Sequence, residues 1–203
     1  EAHIENEEPK EQDLWKKLPE AEGEERADIL IELAKLAVFR SEGSEALALA
    51  EEALGVYRSM GALASEVEIA NAITGIGYSL KELNRVEEAT KALDEAIAIL
   101  HEGGFPFVVD TMRTRASWLA EIEKYEAAIA TYLEIVQINE INGEKEFVGR
   151  DLYQVAHCFQ KLGRWSESIV HAERARENLK CKAKELVAEI GWCDLIDRKS
   201  TRL

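Results

Sequence analysis

The stretch LNRVEEATKALDEAI, residues 83–97, ends one apolar pattern and begins another, and it contains neither His nor Cys. Its spacing of small residues is shared by three other parts of the chain. Ala34, Ala46 and Ala53 are separated by 12 and then 7 positions. Gly77, Ala89 and Ala96 repeat those intervals, as do Ala116, Ala128 and Ile135, and Ala156, Ser168 and Ala175. From unit to unit the steps, 34 to 77 to 116 to 156, are 43, 39 and 40 residues. A period of that size is the signature of a helical solenoid.

Close packing explains the pattern. A small residue in the middle of a first helix lets a second helix approach, and a small residue early in the second completes the contact. The third small position admits the next unit's first helix. Larger residues fill the gaps: Ile73, Ile76 and Leu80 in one unit, Leu152, Val155 and Phe159 in another.

The helical period runs through the same regions. Leu30, Leu33, Ala34 and Ala37 form one stripe at i, i+3, i+4, i+7, and Ala46, Leu49, Ala50 and Ala53 form the next. RSEGSE (40–45) turns the chain between them. Loops are expected at 59–62, 103–106 and 142–143, where Gly and Pro end helices. The sequence predicts an all-α, right-handed α-α superhelix (solenoid) of about four helical hairpins, at 24–61, 62–104, 105–143 and 144–180. An acidic, aperiodic segment, residues 1–12, is expected to be flexible. Residues 13–23, with Leu14, Trp15 and Leu18, read as a capping turn ended near Pro19. A C-terminal capping helix is expected over 181–198, followed by a tail at 199–203.

Composition agrees with helix and narrows the partners. The 203 residues are 46% hydrophobic and 32% charged, with only 3 Pro. Net charge is −15, from 25 basic and 40 acidic residues, so nucleic acid and anionic membranes are not expected partners. No stretch has the length of a membrane span and none resembles a signal peptide. Three cysteines, Cys158, Cys181 and Cys193, form an odd, sparse set that points to a reducing compartment, and the expected location is cytoplasmic. The chain starts with Glu1 and not Met, which reads as a processed product or a fragment.

LGRWSESIVHAERA (162–175), IEKYEAAIATYLEI (122–135) and LNRVEEATKALDEA (83–96) carry a resemblance to the tetratricopeptide repeat family. FRSEGSEALALAEEA (39–53) fits less closely at the turn. The resemblance covers roughly residues 24–180. The family's terminal Pro is absent, its slot being filled by Arg58, His101, Glu140 and Lys180, and the steps exceed the family's usual repeat of about 34 residues. Longer helices are implied, as in the extended-repeat branch found in signalling adaptors and bacterial regulators. Arg115 stands where the pattern wants Leu, so either its stem snorkels while its head pairs with a carboxylate, or the register shifts locally. One branch of the family clamps chaperone tails with Lys, Asn and Arg. The corresponding positions here are Thr74, Tyr78, Thr114, Arg150 and Gln154, of which only Arg150 suits, so that binding is not expected.

In such an array the first helices line the concave side. Helical geometry assigns to it Asp28, Ile31, Lys35 and Val38; Asn71, Thr74, Tyr78 and Lys81; Asp110, Arg113, Ser117 and Ala120; and Arg150, Tyr153, His157 and Gln160. Four basic and two acidic residues give this face +2 on a −15 chain. The expected ligand is therefore an acidic peptide or a free carboxylate, held by forked Arg donors. The expected contacts are Lys35, Asn71, Tyr78, Lys81, Arg113, Arg150, Tyr153 and His157.

Catalytic and metal readings are weak. His157 and Cys158 are neighbours about 100° apart on a helix, and no CxxC, HxxxH or HExxH spacing occurs. Carboxylate runs such as Glu51-Glu52 and Glu87-Glu88 fit exposed helix faces near first turns. ITGIGYS (73–79) places two glycines in an apolar stripe, which reads as packing, with Gly75 costing about 1 kcal/mol against Ala inside a helix. The sequence thus points to a non-enzymatic protein-protein interaction scaffold with no cofactor and no metal. Two alternatives remain: a sensor or coupling domain of a larger bacterial signalling or transcriptional regulator, and a self-assembly module. In the last, Leu186, Val187, Ile190, Trp192 and Leu195 would pair two copies as a homodimer through the C-terminal helix.

Overall fold

The structure, a computed structural model, describes residues 8–179. The expected C-terminal helix and tail, with Cys181 and Cys193, lie outside the described residues, as do residues 1–7. Among the described residues every regular element is helical: α1 (Glu8–Lys17), α2 (Gly23–Phe39), α3 (Gly43–Met60), α4 (Glu66–Glu82), α5 (Val86–Glu102), α6 (Val108–Glu121), α7 (Tyr125–Asn142), α8 (Lys145–Lys161) and α9 (Trp165–Leu179), with a single 3-10 turn at Gly61–Leu63. Helices α2–α3, α4–α5, α6–α7 and α8–α9 are consecutive hairpins of a helical solenoid. The chain forms two compact units, one up to Thr111 and one from Met112.

Every residue of the four spaced triplets is buried. In the α4–α5 hairpin a Cβ on Gly77 would sit 3.2 Å from Leu93 Cδ2 and 3.4 Å from the Ala89 carbonyl oxygen, so α5 leans on the bare backbone of α4. In the α8–α9 hairpin the Ser168 hydroxyl donates to the Ala156 carbonyl at 2.8 Å, joining two of the triplet positions directly.

The four hairpin turns are also one motif. Ser41, Asn84, Glu123 and Gly163 all have left-handed φ, between 60° and 71°. The next amide reaches back five residues each time: Glu42 to Ala37, Arg85 to Leu80, Lys124 to Leu119, Arg164 to Phe159. This is the Schellman closure of a helix C-terminus. Its residues recur at the same 43, 39 and 40 steps as the small triplets.

In the first unit Leu30, Leu33 and Ile73 are at most 2% exposed and pack with Ala50, Ala53, Ala96 and Leu100. Full burial of each large side chain stabilises by about 1.5–3 kcal/mol. Helix α1 begins at Glu8. The stretch expected to be flexible therefore yields its last five residues to this helix. The physical reason is pairing with α2: Lys10 bonds to Glu32 and Glu11 to Arg40. In the second unit Val136, Val148, Leu152, Ala156, Ala172 and Ala175 form a core, with Tyr153 packed against it.

Candidate functional site

In the first unit, α2 and α4 run in the same direction, since each is joined to its neighbour by the intervening α3. Between them lies a cleft of about 670 Å³. Helix α2 contributes Asp28, Ile31, Glu32, Ala34, Lys35 and Val38; α4 contributes Glu68, Asn71, Thr74, Gly75 and Tyr78; α3 adds Tyr57. The i, i+3, i+4, i+7 spacing along each helix explains why these residues share one wall. Seven of the residues that helical geometry assigned to the concave face are among them, including Lys35, Asn71 and Tyr78. Lys81, in the last turn of α4, is half-buried and not part of this lining.

The two ends of the cleft differ. At the start of the helices, Glu24 and Asp28 lie one turn apart on α2 and face Glu68 on α4. The Glu68 carboxylate, by repulsion and by a shared hydrogen bond, pushes the Glu24 carboxyl above the usual carboxylate range. Asp28 adds to the same effect. The Tyr57 hydroxyl donates to Asp28 Oδ1 at 2.5 Å, fixing that carboxylate from below. Glu68 also closes the N-terminus of α4: its side chain accepts from the Ser65 amide while Ser65 caps the helix. Further along, Lys35 and Lys10 both bond to Glu32 and hold its carboxyl below the usual range. Ile31, Val38 and Tyr78 provide the apolar wall there, with Tyr78 41% exposed.

The cleft spans two of the four first helices whose chosen positions summed to +2, and its own lining is negative. Among the lining residues Asp28, Glu32 and Glu68 stand against Lys35, so the lining carries −2, with Lys10 reaching Glu32 from outside it. The positive sum rested on selecting first-helix positions by spacing alone. Glu32 lies one position beside Ile31, and Glu68 lies one turn before Asn71 on the same stripe of α4, beyond the positions chosen. Tyr57, from a second helix, was likewise missed. The Ser65-x-x-Glu68 capping box is visible in the sequence, but it reports a helix start, not a cleft.

Gly75 also departs from expectation. A Cβ there would meet only Ala50 Cβ at 3.7 Å and Ile31 Cδ1 at 4.0 Å, which are ordinary contacts. Packing requires glycine at Gly77 and not at Gly75, whose bare backbone floors the cleft.

The second unit uses its candidate residues differently. Arg113 binds Asp151 through two parallel bonds, Nε to Oδ1 at 2.9 Å and Nη2 to Oδ2 at 3.1 Å. Asp151 is 1% exposed, and Asn139 Nδ2 donates to its Oδ2 at 2.9 Å. The Arg113 guanidinium also lies 5.5 Å from the Phe147 ring centroid. The forked donor expected to hold a ligand carboxylate thus holds an internal one. Arg150 is exposed and pairs with Glu146 at 3.1 Å. Tyr153 is half-buried against the core. His157 is half-buried, and burial, reinforced by Lys161, lowers its pKa. Arg115 bonds to the Thr131 hydroxyl at 2.8 Å, so its position in the repeat register is occupied by a polar contact between α6 and α7.

Cys158, the cysteine among the described residues, is buried and its thiol is pushed up to about 11 by desolvation, the reverse of an activated nucleophile. Among the described residues no group of three His, Cys, Asp or Glu side chains is placed to hold a metal ion, and no helix is long and apolar enough to cross a membrane.

Solved structures share this fold. Aspartyl phosphate phosphatase F from Bacillus subtilis superposes with a TM-score of 0.71 at 12% identity, over 87% of this chain and 45% of that one. A Podosopora anserina putative kinesin light chain of nearly identical TPR-like repeats gives 0.64 at 15% identity, over 90% of this chain and all of the other, 100%. The fold is that of the tetratricopeptide-like repeats. A Rap protein complexed with competence and sporulation factor is also similar, with a TM-score of 0.60 at 17% identity over 94% of this chain. The tetratricopeptide-like chain here spans 57% of that Rap protein and 45% of the phosphatase. No family model and no curated protein matches the sequence.

Proposed function

We propose that this chain is a non-enzymatic protein-interaction module that holds an extended segment of a partner protein in the cleft between α2 and α4. The observation that carries the reading is the cleft itself: about 670 Å³, walled by two neighbouring first helices, with apolar, aromatic and charged groups on one surface. That mixture suits a peptide, whose backbone and side chains need both kinds of contact. Affinity would come from several modest contacts, with Tyr78 supplying the largest amphipathic area. Asn71 and Lys35 are the polar contacts proposed beside it.

The test is a displayed-peptide library of random linear sequences, selected on the wild-type chain and on an Asn71→Trp variant that fills the cleft from an exposed position. Sequences enriched on wild type and lost on the variant, with far-UV CD unchanged, support the reading. Enrichment that survives the tryptophan places binding elsewhere on the chain. A second reading, as a sensor or coupling part of a larger regulator, draws support from the Rap protein solved with competence and sporulation factor, which is longer than this chain. Peptide binding that leaves the chain's own hydrogen-exchange pattern unchanged would speak against it.

A further inference from the structure

We infer that the segment bound in the cleft is basic at one end: an Arg or Lys side chain of the partner enters the α2–α4 cleft at its N-terminal end, between Asp28 and Glu68, while an apolar or aromatic residue follows toward Tyr78. This rests on the proposed use of the cleft and adds the chemistry of the occupant.

Three observations carry it. First, the cleft is polarised. Asp28 and Glu68 line its start, with Glu24 one turn before Asp28, whereas Ile31, Val38 and Tyr78 line its continuation. An occupant that matches only one end leaves the other unsatisfied. Second, the carboxylates at the two ends are treated differently by the protein. Glu32 is neutralised by Lys35 and Lys10. No Lys or Arg among the described residues forms an ion pair with Glu24, Asp28 or Glu68, whose contacts are with one another, with Tyr57 and with the Ser65 amide. The repulsion between Glu24 and Glu68 is relieved by a cation placed between the helices. Third, the protein's own hydrogen bonds hold the acceptors in position. Tyr57, 2% exposed, fixes Asp28 from the floor, and the capping box fixes Glu68. The acceptors are therefore in place before binding, which lowers the ordering cost of association.

Charge complementarity then selects the occupant. A carboxylate at this end would add to an uncompensated negative cluster, and a neutral residue would leave it desolvated. A guanidinium can donate to two carboxylates on different helices through its fork of N–H groups, and an ammonium can do so as a point charge. The apolar stem of either side chain lies along Ile31 and the bare backbone at Gly75.

The experiment scores the residues enriched by the same displayed-peptide library and then measures affinity of one enriched synthetic peptide. It is compared on wild type, on the cleft-filling Asn71→Trp variant and on Asp28→Asn/Glu68→Gln, with salt varied. Expected are peptides carrying Arg or Lys next to an apolar residue, with affinity lost in Asn71→Trp, weakened at least tenfold in Asp28→Asn/Glu68→Gln and falling as salt rises. Replacement of the peptide's basic residue by Gln should weaken wild-type binding equally and have little further effect on the double variant. Peptides that require the open cleft but are neutral or acidic, or that ignore the double substitution, overturn the inference and leave the interaction reading standing. Absence of any cleft-dependent peptide overturns both. Glu24→Gln serves as the control for folding: it removes repulsion, keeps the helix, and should weaken a basic peptide modestly.

Discussion

The first and second units each bond a first-helix carboxylate to a polar residue at one second-helix position, with opposite consequences, although the carboxylates sit one register position apart, Asp28 matching Arg150 and Asp151 matching Ile29. Tyr57 on α3 and Asn139 on α7 occupy the same repeat position. Tyr57 donates to Asp28, which lies on the exposed face of its own hairpin. Asn139 donates to Asp151, which lies on the next hairpin and is 1% exposed. In the second unit a neighbouring first helix supplies Arg113, and the charge is closed internally. In the first unit the equivalent position on α2 is Ile31, and on α4 Thr74. Nothing cationic arrives, and the carboxylates remain at the wall of a cleft. One repeat geometry therefore makes either a structural clasp or an accepting surface, and the placement of the carboxylate together with the arrival of Arg113 decides which.

The largest effect expected follows from that contrast. Removing one member of a buried, doubly bonded pair leaves the other charge without compensation, at a cost of about 3–5 kcal/mol. Arg113→Glu, which strands the buried Asp151, should lower the unfolding free energy by that amount, read from a lower urea midpoint; Asp151→Ala should cost less, because Arg113 is 29% exposed, and Asp28→Asn, on an exposed residue, should stay within about 0.5 kcal/mol. Charge reversal at Arg113 is consequently a stability experiment before it is a binding one. If Arg113→Glu unfolds at the wild-type midpoint, the clasp is not structural and the two units do not differ in the way described.

Glycine sharpens the same comparison at smaller amplitude. A Cβ on Gly149 of α8 would lie 2.7 Å from Leu179 Cγ and 3.2 Å from the Ala175 carbonyl oxygen. Gly149→Ala should therefore destabilise by about 1–3 kcal/mol through overpacking. Gly75 of α4 has room, so Gly75→Ala should stabilise by about 0.5–1 kcal/mol while raising the floor of the cleft and weakening any peptide held there. Thermal midpoints of the two variants, measured side by side, check both signs. Equal destabilisation would mean that Gly75 is a packing residue after all.

The sequence carried the array because packing is periodic. Small residues at fixed intervals are needed wherever helices touch, so Ala34, Gly77, Ala116 and Ala156 could be aligned without any structure. The hairpin turns were only half visible. Their left-handed residues are Ser, Asn, Glu and Gly, chemically unlike one another, and only hydrogen bonding unites them. The site was legible as a set of positions on the α2 and α4 faces, and not as a charge. Net charge of a groove depends on residues at its edge, such as Glu32 and Glu68, and on which cations are already engaged, as Arg113 is. The first turns on how far along each helix the cleft extends, and the second on partner choice, which spacing along one helix does not contain.

The smallest effect expected is a divergence of the two units with pH. In the second unit burial lowers the pKa of His171 first, with Arg174 adding to it and Glu167 opposing, and burial with Lys161 lowers that of His157. His171 is buried beside Phe159, with ring centroids 5.3 Å apart, and that loss of water disfavours the charged ring. The unfolded chain then binds protons that the folded one refuses. Stability from these groups is complete above the ordinary value of 6.5 and is lost as pH falls below it. In the first unit Glu24 is displaced the other way. Its folded carboxyl holds a proton above the ordinary 4.5, so acidification toward that value relieves its repulsion with Glu68 and favours the fold. Between pH 7 and pH 5, hydrogen exchange of the α8–α9 amides should therefore accelerate, after correction for intrinsic rates, while that of α2 and α4 holds or slows. Glu24→Gln should abolish the second trend and leave the first untouched. If both units accelerate together in Glu24→Gln and wild type alike, the carboxylates at the cleft are already neutralised, and the surface described as waiting for a cation has one.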